Sequence, residues 1–225
     1  MQSPNVSAPP AMAIFSFRLV AAVGSSAIFG LVATSDAHGI SLFPAILAGL
    51  LFGTAFVGGT GYRIIRSVWA REAVASPASW SGAAAASTIA CLVAVLFLPR
   101  AMDEAARLML GYGLAINFAY LCVKASCALA GCCHAEVRLF GRIWGLRKVE
   151  IGATLAILVA ASAISVGDLW LGALVGLLGH TLLRLYSRSL RGRWSTGWPP
   201  LSQPGAELAP LQLLALLAVG GALIG

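Results

Sequence analysis

The sequence predicts an all-α, polytopic membrane protein with about seven transmembrane helices. Three observations carry that prediction. The chain of 225 residues is 59% hydrophobic and only 10% charged, where a soluble domain carries about 25% charged residues. Its apolar residues form long runs close to the roughly 20 residues that a helix needs to cross a bilayer core. Basic residues gather at the ends of those runs. The runs do not alternate apolar with polar positions, which argues against an outer-membrane barrel. The length suits one transmembrane domain over residues 1–225.

The first run, about residues 12–34, ends at the polar turn Ser35-Asp36-Ala37-His38-Gly39. The start, MQSPNVSAPPAMAIFSFR, has neither the basic opening nor the cleavage site of a signal peptide, so this segment is expected to be retained. The second run, about 41–65, ends at Arg63 and Arg66. The third, about 82–98, ends at Pro99-Arg100. The fourth, about 104–131, leads into a cysteine-rich motif, and the fifth is a short run at about 150–166. The sixth, about 168–187, ends in arginines, and the seventh covers about 207–225. Glycine and other small residues recur inside the runs, as close helix packing in lipid requires. The polar stretch from Gly192 to Glu207, with Trp194 and Trp198, reads as an interfacial loop. Neither an internal repeat nor a soluble domain is visible.

Net charge is +7. Because the basic residues flank apolar runs, they point to anionic lipid headgroups as partner and not to nucleic acid. The loops after runs two, four and six hold most of the arginines: Arg63, Arg66, Arg71, then Arg138, Arg142, Arg147 with Lys148, then Arg188, Arg191, Arg193. Loop charge alone puts that face in the cytoplasm. The five cysteines, Cys91, Cys122, Cys127, Cys132 and Cys133, are odd in number and mostly lie within apolar segments, so they do not form a disulfide framework.

Two polar stripes break the apolar pattern. Gly113, Asn117, Tyr120, Lys124, Cys127, Gly131 and His134 follow one another at steps of 4, 3, 4, 3, 4 and 3 residues, which keeps them on one helical face. A charge in the bilayer centre costs roughly 2.5–3.5 kcal/mol on insertion scales, so Lys124 is expected to face the protein interior or a wet cavity. The competing reading is a lysine that snorkels from near a helix end. His180, Arg184, Arg188 and Arg191 form the second stripe, a ramp suited to an anionic headgroup because guanidinium matches phosphate bidentately. Arg188 and Arg191 also suit plain interfacial anchoring, His38 a turn, and the cysteines inert packing. Adjacent cysteines without a C-x-x-C pair argue against metal held by Cys127, Cys132, Cys133 and His134. No metal or organic cofactor is expected.

Lys124-Ala-Ser126-Cys127-Ala128-Leu-Ala-Gly131-Cys132-Cys133-His134-Ala135 resembles the signature of prolipoprotein diacylglyceryl transferases and their divergent relatives, roughly R-x-G-C-F-x-x-G-C-C-[YH]-G. Weaker likenesses extend the match over most of the chain. They include Gly58-Gly-Thr-Gly-Tyr62, Trp80-Ser81-Gly82-Ala83 where the family opens a helix with His-Gly, and Leu211-Gln212 near the last helix. Gly179-His180 through Arg184, Arg188, Arg191 and Gly192 is similar to a helix of the form Y-G-x-x-R-F-x-x-E-x-x-R-G. The resemblance implies a seven-helix enzyme of the bacterial inner membrane. It would move diacylglyceryl from phosphatidylglycerol to a lipobox cysteine thiol of a lipoprotein precursor and release glycerol phosphate. It also implies that the signature faces the periplasm, opposite to the loop-charge assignment.

By the resemblance, Arg184 takes the place of the family's key arginine and Lys124 that of the signature arginine. Ser81 stands where the family has histidine, Arg188 where it has glutamate, and Glu150-Ile-Gly-Ala153 is the counterpart of Q-L-Y-E. The candidate catalytic residues are therefore Lys124, His134 and Arg184, with Glu150 as an alternative base. Asn117, Tyr120, Cys127, His180 and Arg188 are the candidate substrate-binding residues. Two other functions fit the sequence: a non-catalytic membrane subunit packed against a partner, and a thiol-redox membrane protein using Cys127, Cys132 and Cys133.

Overall fold

The computed structural model describes residues 11–36, 39–40, 42–60, 80–99, 101–129, 136–139, 142–190 and 203–224. Among them seven α-helices follow in order: α1 (Ala11–Ala33), α2 (Leu42–Thr60), α3 (Trp80–Phe97), α4 (Met102–Leu129), α5 (Leu146–Ser165), α6 (Leu169–Leu190) and α7 (Gln203–Ile224). The described residues are all-α apart from two small antiparallel hairpins, β1 (Ser35–Asp36) with β2 (Gly39–Ile40), and β3 (Glu136–Leu139) with β4 (Arg142–Gly145). Helices α1, α4, α5 and α6 are long and apolar enough to cross a membrane. The apolar parts of α2, α3 and α7 are shorter: Phe43–Gly59, Gly82–Phe97 and Pro210–Gly221.

Local chemistry sets several boundaries. Helix α3 stops at Phe97 because Pro99 follows, and the residue before proline is pushed out of the helical region. Asp103 and Glu104 occupy the first turn of α4, where the helix dipole favours negative charge. Asp168 caps α6: its Oδ1 accepts a hydrogen bond from the backbone N–H of Leu171 at 3.0 Å.

Three expectations change. The arginine-rich segment after α4 contains a hairpin where a loop is expected, in register Val137↔Trp144 and Arg138↔Ile143. Its arms, Glu-Val-Arg-Leu and Arg-Ile-Trp-Gly, are four residues each, too short for a period-2 pattern to stand out between long apolar runs. Helix α5 begins at Leu146, before the apolar run, because Arg147, Lys148 and Glu150 are good helix formers. Helix α7 begins at Gln203, inside the stretch read as a loop; Pro204 is tolerated there because a first-turn residue needs no intrahelical N–H bond. Residues 191–202 of that stretch lie outside the described residues.

Neighbouring helices run antiparallel where their contacts fix direction: Thr88 of α3 meets Tyr112 of α4, and Cys91 meets Leu108. Helix α4 is the axis of the bundle. Of its span 67% is buried, against 22% for α1 and 17% for α5, and α1, α3, α5, α6 and α7 all touch it. Helices α4 and α6 lie parallel, with Gly113 against Gly176 and Asn117 against His180. The outward faces are strongly apolar, with Phe43 and Phe97 about four-fifths exposed and Leu50, Leu96, Val159 and Leu216 also exposed. Water does not tolerate apolar surface this continuous on a monomer; hydrocarbon does. Buried hydroxyls are satisfied within the helices, as in Ser87 to Ala83 O and Thr154 to Glu150 O.

Small residues allow the closest crossings. A Cβ built on Gly30 would lie 2.1 Å from the carbonyl oxygen of Ala45 across the α1–α2 contact. Backbone cannot move aside as a side chain does, so Gly30→Ala is expected to destabilise the fold by about 1–3 kcal/mol. Gly58→Ala, with nothing within 4 Å of the added carbon, is the control and should be neutral or better. Unfolding midpoints in one detergent compare the two variants directly.

Candidate functional site

The polar stripe of α4 is buried, as its place on the central helix requires. Asn117 and Tyr120 have no exposure, Lys124 is buried, and Cys127 is partly buried. Lys124 lies five residues before the end of α4, about 7–8 Å in at the helical rise, and Asn117 about 18 Å in. The lysine does not snorkel. Its Nζ stands 2.8 Å from Oε2 of Glu150, which α5 presents one turn after its start.

Tyr120 organises the cluster. Its hydroxyl donates to Oε1 of Glu150 at 2.8 Å and accepts from Nη1 of Arg184 at 3.2 Å. Its ring carries both cations, with the Lys124 ammonium 4.9 Å and the Arg184 guanidinium 5.0 Å from the centroid. The ring quadrupole attracts each of them, and more strongly where water is excluded. Both carboxylate oxygens of Glu150 therefore accept a bond inside the site, and Glu150 serves as counter-ion to Lys124. Pairing is what makes three ionised side chains from three helices tolerable at this depth.

One turn deeper, Asn117 links α4 to α6. Its amide nitrogen donates to the carbonyl of Gly113 at 2.7 Å and to that of Gly176 at 2.9 Å, and its Oδ1 lies 3.1 Å from Nδ1 of His180. Bare glycines at both positions let the two backbones come this close. His180 stands edge-on to Tyr120, with centroids 5.2 Å apart, and Trp80 at the start of α3 tilts over both rings. Behind Trp80 an aromatic series through Phe56 and Phe52 to Phe29 closes the apolar side. Arg147 seals the outer end, donating to the carbonyls of Cys127 and Ala128 at 3.0 and 3.1 Å. These are among the last carbonyls of α4, which have no partner within their own helix.

The structure thus brings together Asn117, Tyr120, Lys124, His180 and Arg184, and leaves Cys127 at the rim. Arg188 lies on α6 one turn beyond Arg184, with its side chain outside the described residues. Gly131, Cys132, Cys133 and His134 lie outside the described residues, as does the side chain of Ser81. Sequence reasoning missed Trp80 as a wall of the site and Arg147 as a helix cap. It treated Glu150 as an alternative base and not as the lysine's partner. A usable signal was present, because a lysine inside a bilayer requires an opposite charge and Glu150 is the acid nearest an apolar run on the same end of the bundle. Cys91 and Cys122 are buried free thiols. Among the described residues no group of three or more His, Cys, Asp and Glu side chains is placed to hold a metal ion.

The arrangement is a buried electrostatic site in which two cations and one carboxylate share a tyrosine. The imidazole of His180 stands beside that tyrosine. No family model matches this chain, and neither a curated protein nor a solved structure matches it significantly, so the geometry of this site is what any functional reading has to stand on.

Proposed function

We propose that this chain is a seven-pass protein of the bacterial inner membrane that binds the phosphodiester of an anionic phospholipid, such as phosphatidylglycerol. It then passes a diacylglyceryl-type group to an acceptor thiol of a lipoprotein precursor. The supporting observation is that Lys124 from α4 and Arg184 from α6 each lie against the ring of Tyr120, 4.9 and 5.0 Å from its centroid. A phosphate ester that departs with a full negative charge needs fixed cations around its developing charge. In this reading Arg184 supplies the planar donor fork and Lys124 the point charge. Glu150 holds Lys124 in place until the phosphodiester takes over the ammonium.

Lipid mass spectrometry on gently purified protein tests the binding step. The wild-type chain is expected to carry phosphatidylglycerol enriched over the membrane average. Arg184→Ala should lose that enrichment, while Arg184→Lys keeps part of it. Equal lipid content in wild type and Arg184→Ala would end the proposal.

A second reading, a non-catalytic subunit, draws on the groove between α1 and α2. That groove measures about 740 Å³ and is lined by Ala22, Ser26, Gly49, Gly53 and Val57 among others. Its small residues suit helix packing in lipid. This reading expects Arg184→Ala to be tolerated and one membrane protein to co-purify in fixed ratio.

A further inference from the structure

His180 is fully buried one turn before Arg184, and its partner Asn117 settles which ring nitrogen carries the proton. An asparagine amide has two N–H donors, and both are used here, on the carbonyls of Gly113 and Gly176. The same two carbonyls fix the orientation of the amide, because a flipped Asn117 would turn its oxygen toward two oxygens. The oxygen that faces His180 is therefore an acceptor only. Its contact with Nδ1 at 3.1 Å requires Nδ1–H in the neutral ring. That leaves the lone pair on Nε2. The tautomer is dictated from outside the ring, as is usual where an imidazole has a defined task.

We infer that Nε2 of His180 is the proton acceptor of this site, with Asn117 as the positioning residue that fixes its tautomer. The role rests on the transferase reading given above. In the reaction the acceptor thiol gives its proton to Nε2 as its sulfur bonds to the terminal glyceryl carbon. The bond from that carbon to the phosphate oxygen breaks, and its electron pair leaves with the oxygen. Arg184 and Lys124 stabilise the charge that appears there. The imidazolium returns its proton to the released phosphate or to water. Glu150 is unsuited to this task because Tyr120 and Lys124 occupy both of its oxygens. Among the described residues Tyr120 of α4 stands edge-on to the ring, and Lys124 of α4, Glu150 of α5 and Arg184 of α6 are joined to it through Tyr120.

His180→Asn is the discriminating variant, because its amide keeps a donor for Asn117 and lacks a basic lone pair. The assay uses full-length protein in vesicles of phosphatidylethanolamine and phosphatidylglycerol, with a synthetic lipobox peptide as thiol acceptor. In His180→Asn turnover is expected to fall about 10²–10⁴-fold, the usual worth of a positioned base, well beyond any change in the phosphatidylglycerol that the variant retains. Turnover within threefold of wild type overturns the base role and leaves the lipid site standing. A wild-type chain that holds the lipid but transfers nothing overturns both the transferase reading and the base role. Nitrogen-15 NMR of the histidines, which needs neither variant nor turnover, tests the tautomer alone. It should show the neutral ring of His180 protonated at Nδ1, and protonation at Nε2 refutes the assignment.

Discussion

Lys124→Leu is expected to destabilise the bundle by about 3–5 kcal/mol, because it leaves the carboxylate of Glu150 buried without its ammonium. The single change Glu150→Leu should cost a similar amount by stranding Lys124. The double variant Lys124→Leu with Glu150→Leu should cost far less than the two singles added together, because apolar residues replace both charges and no ion is left in the interior. The difference is the coupling energy of the pair, and a double-mutant cycle of unfolding in detergent measures it. Additive singles would mean that the two side chains do not meet. Under the proposed lipid-binding function the double variant also separates stability from function: it should fold, yet bind anionic lipid weakly, since the proposed ligand of the phosphodiester is gone.

Tyr120→Leu carries the second large effect. Tyr120→Phe removes only the hydroxyl, so Glu150 Oε1 loses a donor and Arg184 loses an acceptor; burial makes that worth about 1–3 kcal/mol. Tyr120→Leu also removes the ring under both cations, each contact adding up to about 2 kcal/mol where water is excluded. The expected order of unfolding midpoints is wild type, then Phe, then Leu, with the larger step between Phe and Leu. Equal loss in Phe and Leu would assign the whole contribution to the hydroxyl. In lipid-retention assays the Phe variant should keep part of the phosphatidylglycerol, because both cations still have a ring to gather on.

Asn117 and Tyr120 show how much of the site could be read from sequence. Steps of three and four residues put them with Lys124 on one face, and that face is buried. The period is a property of the helix itself, so any helix with this sequence carries the stripe. Helix α6 carries its own stripe in the same way, through His180 and Arg184. The need for a counter-ion was legible, but the pairing itself was not. Glu150 belongs to α5, and nothing in the spacing along one helix says which residue of another will face it. Trp80 is a similar case. On its own it reads as an aromatic at a helix start, and only the approach of α3 to α4 and α6 makes it a wall. The β3–β4 hairpin was missed because four-residue arms leave little periodicity to detect.

By itself the sequence determined that the chain is helical and built for an apolar surround. Backbone groups in hydrocarbon must bond within their own segment, so long apolar runs have one outcome. It also determined which residues share a face. Only the tertiary structure decided that Lys124 pairs with Glu150, that Arg184 meets both through Tyr120, and that Asn117 dictates the proton of His180. Those contacts depend on how each helix is rotated and how deep it sits against its neighbours, which is fixed by close approaches such as Gly113 on Gly176 and not by any local pattern.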